Sequence, residues 1–213
     1  MKKFYLLLIG IFSFLSGVFA QSAIDPVNGG NFDEGNTFAA NGWNVVNSSA
    51  NKWVVGTAAS ATPPSSPNTA YISIDGNPAN YSYDNTSSHI SHFYQVVTLP
   101  ANAINISLSF QLKGNFENDA GGNLVDGLEV YTNDITAIPV ADALPSGVNA
   151  IQQFVQISNN IEYVGQSRNL NYYAGKTFLV IFSWINNGDD IGDGPPASVD
   201  QASLTYCIKG NPY

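Results

Sequence analysis

Oxygen donors are the most abundant functional groups in this chain. The stretch Asn186-Asn187-Gly188-Asp189-Asp190-Ile191-Gly192-Asp193-Gly194 crowds carboxylates and amides onto a glycine-rich loop. A hard cation such as calcium takes roughly six to eight oxygens, so such a loop is chemically suited to one. It lacks the closing glutamate and the flanking helices of an EF-hand. Two readings therefore stand side by side: a solvated turn, or a calcium or ligand-contact loop using Asp189, Asp190 and Asp193. Flat aromatic faces beside amides and carboxylates suit a sugar ring, whose apolar face stacks while its hydroxyls hydrogen-bond. Trp53 is the tryptophan we assign to such a role, with Tyr81 and Tyr83 of the polar stretch Tyr81-Ser82-Tyr83 beside it. Trp43 and Trp184 sit in strand-like apolar runs that a core would claim.

Hydrolytic chemistry finds less support. His89 and His92 form an H-x-x-H, but on a strand residues three apart face opposite ways, and neither a nearby cysteine nor a local glutamate completes a zinc sphere. Glu117-Asn118-Asp119 begins a carboxylate spacing known from sandwich glycosidases, yet the position that would complete it is Gly122. No G-x-S-x-G, H-E-x-x-H or phosphate-binding glycine loop occurs. The expectation is a protein that binds rather than catalyses.

The elements that must position these residues are strands. Ile104, Ile106, Leu108, Phe110 and Leu112 alternate with Asn105, Ser107, Ser109 and Gln111, which predicts a long strand with one solvated face. Phe178 to Ile185 is apolar almost without break, which predicts a central strand covered on both faces. Further strands are predicted over 43–47, 52–57, 70–74, 93–99, 128–132, 152–158, 161–170 and 199–208, with turn residues between them. Some ten short strands and no helical periodicity predict an all-β, two-sheet antiparallel sandwich of jelly-roll type, concanavalin-like or galactose-binding-like.

Of 213 residues, 44% are hydrophobic and only 11% charged, so the chain can build a core under a surface that is polar without being ionic. Seven basic residues face sixteen acidic ones, for a net charge of −9, which argues against nucleic acid as a partner. Lys2 and Lys3, an apolar run from Phe4 to Phe19, and Val18-Phe19-Ala20 before Gln21 have the order of a secretory leader cleaved after Ala20. Residues 21–213 are then a single exported domain, with no transmembrane segment in the mature chain. Cys207 is the only cysteine, so no internal disulfide is available.

Ordered segments, four near the start and two near the end, carry a family resemblance. Phe32-Asp33-Glu34-Gly35 precedes Gly42-Trp43-Asn44-Val45-Val46-Asn47, then Asn51-Lys52-Trp53-Val54-Val55-Gly56-Thr57 and Thr69-Ala70-Tyr71-Ile72-Ser73. Near the end, Phe182-Ser183-Trp184-Ile185-Asn186-Asn187-Gly188 leads to Pro195-Pro196-Ala197-Ser198-Val199-Asp200-Gln201-Ala202-Ser203-Leu204. The arrangement resembles the choice-of-anchor J domains, related to cleaved-adhesin and MAM-like jelly rolls of exported Bacteroidetes-type surface proteins. That resemblance implies a non-catalytic adhesion or carbohydrate-binding module, secreted or at the cell surface, whose partner is an extracellular glycan or a surface protein. It also implies a structural calcium between an acidic residue of the first strand and one of the last; the matching positions are Asp33 or Glu34, and Asp200. The alternative function is a structural or protein-interaction module of a larger surface protein, and a polysaccharide-active enzyme comes third.

Overall fold

The computed structural model describes residues 20–58, 67–146, 149–153, 160–192 and 194–209, so Asp193 and all of the leader except Ala20 lie outside the described residues. Strands are β1 (Ala20–Ile24), β2 (Asn44–Val46), β3 (Lys52–Gly56), β4 (Thr69–Ser73), β5 (His89–Thr98), β6 (Ala103–Gly114), β7 (Glu117–Asn118), β8 (Leu124–Asn133), β9 (Asn149–Gln153), β10 (Asn160–Asn169), β11 (Thr177–Asn186) and β12 (Ser198–Ile208). They form two six-stranded sheets. The first runs β10-β6-β12-β4-β3, with β1 also on β12; the second runs β2-β5-β11-β8-β7, with β9 also on β8. Every strand pairing is antiparallel. No helix among the described residues is long and apolar enough to cross a membrane.

The β6 alternation holds over most of its length: Ile106, Leu108, Phe110 and Leu112 are buried between the sheets, while Ser107, Ser109 and Gln111 face outward. It fails at the start. Asn105 adopts a left-handed φ of 53°, and the register against β12 shifts between Thr205 and Cys207. The phase slips there, so that Ala103 is buried and Ile104 only half-buried. β11 lies between β5 and β8, as its unbroken apolar sequence requires. Phe178, Val180, Phe182 and Trp184 enter the main core, whereas Leu179 and Ile181 pack with Tyr131 on the opposite face.

The core is aromatic at its centre. Phe93 and Phe182 stack with centroids 4.7 Å apart and rings 2° from parallel, and Trp43, Trp53 and Phe38 close around Phe93. Phe32 joins this cluster from a loop rather than from a strand. The segment after β8 is tied across the outer face of the second sheet, where the carbonyl of Val140 lies 3.0 Å from His92 Nε2 and the N–H of Asp142 donates to Ile90.

Candidate functional site

The first place where chemistry gathers is the middle of β12. The N-terminal segment docks there because Gly30 lets two backbones meet: Ala202 donates its N–H to the Gly30 carbonyl at 2.8 Å, and a Cβ at Gly30 would lie 1.9 Å from the Ala202 oxygen. Docking carries Asp33 to within electrostatic range of Asp200. Asp200 is completely buried, its Oδ1 accepts from the Gln201 N–H at 2.7 Å, and its Oδ2 has no hydrogen-bond partner among the described residues. Burial, with the Asp33 charge adding to it, pushes this carboxyl up to about 7. Asp33 accepts from Asn68 N–H at 3.2 Å and from Asn31 Nδ2 at 3.1 Å.

Only part of the expected ligand set is assembled. Glu34 is exposed, and its N–H is held by Asn41 Oδ1 at 3.0 Å. The turn that buries Phe32, left-handed with a φ of 59°, sends the next two side chains to different environments, so Glu34 does not join Asp33 and Asp200. Among the described residues no three acidic, histidine or cysteine side chains converge on one point. The donor set nevertheless fits a hard cation, since an orphaned, fully buried carboxylate oxygen beside a second carboxylate is costly without a counter-charge.

The second place is a cavity of about 410 Å³ lined by Tyr81, Ser82, Tyr83, Asn85, Gly192, Gly194 and Pro195. It unites the two tyrosines singled out in the sequence with the acidic glycine loop. Tyr81 donates its hydroxyl to the Pro196 carbonyl at 2.7 Å, and Tyr83 donates to Gly192 O at 2.6 Å, with Asp126 Oδ2 at 2.9 Å. The hydroxyl ends are thus pinned inward while both residues remain only half-buried at the cavity wall. Gly192 is required there: its φ is 89°, and a Cβ would stand 2.3 Å from the Tyr83 hydroxyl. Asp189 and Asp190 are exposed at the end of the loop, where Asp189 accepts from Asn187 Nδ2 and Ile191 N–H and so folds the turn itself.

Beneath Gly192 lies a carboxylate pair that the sequence did not single out. Asp126, almost fully buried, accepts from the Asn187 N–H at 2.9 Å and faces Glu117 across the β7–β8 ladder. Burial raises the Glu117 carboxyl, and the charges of Asp189 and Asp126 raise it further; burial raises Asp126 as well. The signal was long-range, because an isolated Asp126 between turn residues has no local feature that marks it.

Three other expectations meet the structure here. Trp53 is 1% exposed, donates Nε1–H to Ser91 O at 3.0 Å and packs edge-on against Phe93, so its ring offers no face to a ligand. The register of β3 turns it inward between the sheets, which corrects its assignment to ligand binding. His92 is buried against Ser183 Oγ and Val140 O, with burial holding its imidazole below the usual range. His89 sits 2.7 Å from Ser48 Oγ and 3.6 Å from Asp142, a serine–histidine–acid grouping whose serine is buried away from any substrate.

These features define a two-sheet antiparallel β-sandwich of jelly-roll type with a wall cavity at Tyr81 and Tyr83 and a buried acidic site at Asp200. No known family profile matches the chain, and no curated protein matches it. Among solved structures it is similar to the carbohydrate-binding module TmCBM61 in complex with beta-1,4-galactotriose, at 14% identity and a TM-score of 0.49, over 87% of this chain and 99% of that one. It is similar to the CBM22-1 xylan-binding domain of Paenibacillus barcinonensis Xyn10C, at 12% identity and a TM-score of 0.44, over 92% and 97%. It is also similar to the K1 cleaved adhesin domain of Lys-gingipain from Porphyromonas gingivalis W83, at 15% identity and a TM-score of 0.42, over 91% and 99%. At such identities the likeness is one of architecture.

Proposed function

We propose that the protein is an exported, non-catalytic module that binds a glycan in the cavity of Tyr81, Tyr83 and Asn85 and is stapled by calcium at Asp33 and Asp200. The observation that carries the glycan reading is the cavity itself: two half-buried tyrosines, an amide and a hydroxyl line it, with the carboxylates of Asp189 and Asp190 on the adjoining loop. Aromatic walls beside hydrogen-bonding groups are what a sugar ring needs. Calcium binding rests on the orphaned Asp200 oxygen and its closeness to Asp33. Export rests on the leader-like segment Met1 to Ala20, and a place among choice-of-anchor J domains on the order of motifs along the chain.

The test is a glycan array followed by calorimetric titration of the best oligosaccharide. Ser82→Trp, which would fill the cavity from an exposed position, should abolish binding while leaving the melting temperature within a few degrees. Binding that survives this variant would remove the sugar from this cavity. A second reading, attachment to a surface protein, is favoured by Ile135, Ile138, Val140 and Leu144, which are 45–62% exposed along the segment after β8. Capture of a defined surface protein that Val140→Asp abolishes, together with a blank array, would select it.

A further inference from the structure

We propose that Asp126 is a positioning residue for the sugar cavity: as a carboxylic acid it donates to Tyr83, which in turn holds Gly192, and on ionisation it releases that part of the wall. The inference rests on the glycan reading of the cavity, which Tyr83 and Gly192 both line. Proton counting at the Tyr83 hydroxyl carries it. That oxygen has Gly192 O at 2.6 Å and Asp126 Oδ2 at 2.9 Å. A phenol has one proton to give. Given to Asp126, it leaves two acceptor oxygens facing each other at the shorter of the two contacts. Given to Gly192, it leaves Asp126 Oδ2 against a tyrosine lone pair, a hydrogen bond only when the carboxyl carries a proton of its own. One arrangement satisfies both contacts: Asn187 N–H donates to Asp126 Oδ1, Asp126 Oδ2–H to Tyr83, and Tyr83 O–H to Gly192 O.

The surroundings favour that proton. Asp126 is 1% exposed, and across the β7–β8 ladder it meets Glu117. A Cβ at Gly192 would stand 3.0 Å from Asp126 Oδ2 and 3.1 Å from Glu117 Oε2, so both carboxyls converge beneath this one glycine. Glu117 Oε2 is buried and has no hydrogen-bond partner among the described residues. From the loop above, the charge of Asp189 acts on both carboxyls. β11, on the other side of β8, carries no titratable residue. Among the described residues no lysine or arginine forms an ion pair with any of these acids. The hydrogen bonds from Asn187 and Tyr83 favour the ionised form, but burial outweighs them, and Asp126 keeps its proton above the usual carboxylate range.

Ionisation removes the donor. Tyr83 must then turn its proton to Asp126, which leaves Gly192 O against a bare phenol oxygen and pushes it away. The other tie to that carbonyl is Asn85 Nδ2 at 3.4 Å, a long contact, so the wall gives at Gly192. The closed wall belongs to the protonated carboxyl. A sugar that binds the closed wall is held most tightly below the titration of Asp126 and loses affinity as pH rises through it. By reciprocity, bound sugar raises the pH at which Asp126 ionises.

Carbon-13 NMR of the Asp126 carboxyl from about pH 4 to about pH 8, with the Gly192 amide followed in the same samples, tests this without sugar and with the best oligosaccharide from the array. The Asp126 signal is the one that Asp126→Asn removes. It should titrate above the ordinary carboxylate midpoint of about 4, the Gly192 amide should shift with the same midpoint, and saturating sugar should move that midpoint upward. By calorimetry the parent should lose about tenfold in affinity between about pH 5 and about pH 8, the linkage for a midpoint raised by about one unit. Asp126→Asn offers Tyr83 a donor and Asn187 an acceptor at every pH. It should bind at pH 8 as the parent does at pH 5, with no dependence on pH between. An Asp126 already ionised at pH 5, a Gly192 amide indifferent to its titration, or an asparagine variant with the parent's pH dependence would each overturn the proposal. Absence of sugar binding at every pH would instead refute the glycan reading, and the sugar-free titration would still decide the proton and the wall.

Discussion

Replacing Asp200 by Asn should stabilise the calcium-free protein at pH 8, an unusual outcome for a fully buried residue. With no cation present, the folded state raises this carboxyl from its usual 3.8 to about 7. Each unit is worth about 1.4 kcal/mol, so holding Asp200 ionised inside the fold costs about 4 kcal/mol at pH 8. Between about pH 4 and pH 7 the native state binds the extra proton. The contribution of Asp200 to the stability of the calcium-free protein must therefore fall as pH rises from about 4 to about 7 and level off above it. The asparagine variant keeps the acceptor for the Gln201 N–H but brings an amide that lacks a partner, a cost of about 1–3 kcal/mol. The net gain at pH 8 is then about 1–3 kcal/mol. Saturating calcium should reverse the order, because a cation held about a thousandfold above its dissociation constant stabilises the parent by about 4.1 kcal/mol and has lost its buried ligand in the variant. Urea unfolding of both proteins at pH 5 and pH 8, in chelator and in calcium, measures all four terms. A parent whose stability in chelator falls no more steeply from pH 5 to pH 8 than that of the asparagine variant would refute the burial argument; equal calcium responses in the two proteins would refute the cation site.

The carboxylate pair beneath Gly192 should behave similarly on a smaller scale: Glu117→Gln should raise the melting temperature at pH 8 and leave it unchanged at pH 4, since the Glu117 carboxyl is raised by burial and by Asp189 and Asp126. Gly192→Ala forces an L side chain into a φ of 89° against the Tyr83 hydroxyl, so it should cost ~1–3 kcal/mol in denaturant unfolding and weaken sugar binding at the same cavity. Phe182→Ala removes the ring stacked on Phe93 at the centre of the core and should cost about 3–5 kcal/mol by urea unfolding. Trp53→Phe, by contrast, should leave glycan affinity unchanged in calorimetry, because the buried indole faces Phe93 and Ser91 rather than solvent.

Much of the architecture was legible before the fold. β6 and β11 announced themselves through alternation and through an unbroken apolar run, because burial of one face or of both imposes those periods directly on the chain. The short elements did not. β1 and β7 have no pattern of their own and exist because β12 and β8 offer them an edge to pair with. β5 starts at His89, ahead of the expected Phe93, since ten consecutive residues find partners on β11. At the site, Tyr81, Tyr83 and the acidic loop were recognisable as polar segments carrying useful groups, and the fold brought them to one cavity.

What the sequence determined by itself is the class: a polar-surfaced, acidic, all-β chain with oxygen donors and loop tyrosines in place of a catalytic motif. Composition and period report average burial, and average burial selects layers of strands. The tertiary structure decided which side chains lost their water. Trp53 went into the core and Glu34 stayed outside, while Asp200 was sealed beside Asp33 across most of the chain's length. A carboxylate's cost or use depends on what surrounds it in space, and residues far apart in sequence supply those surroundings.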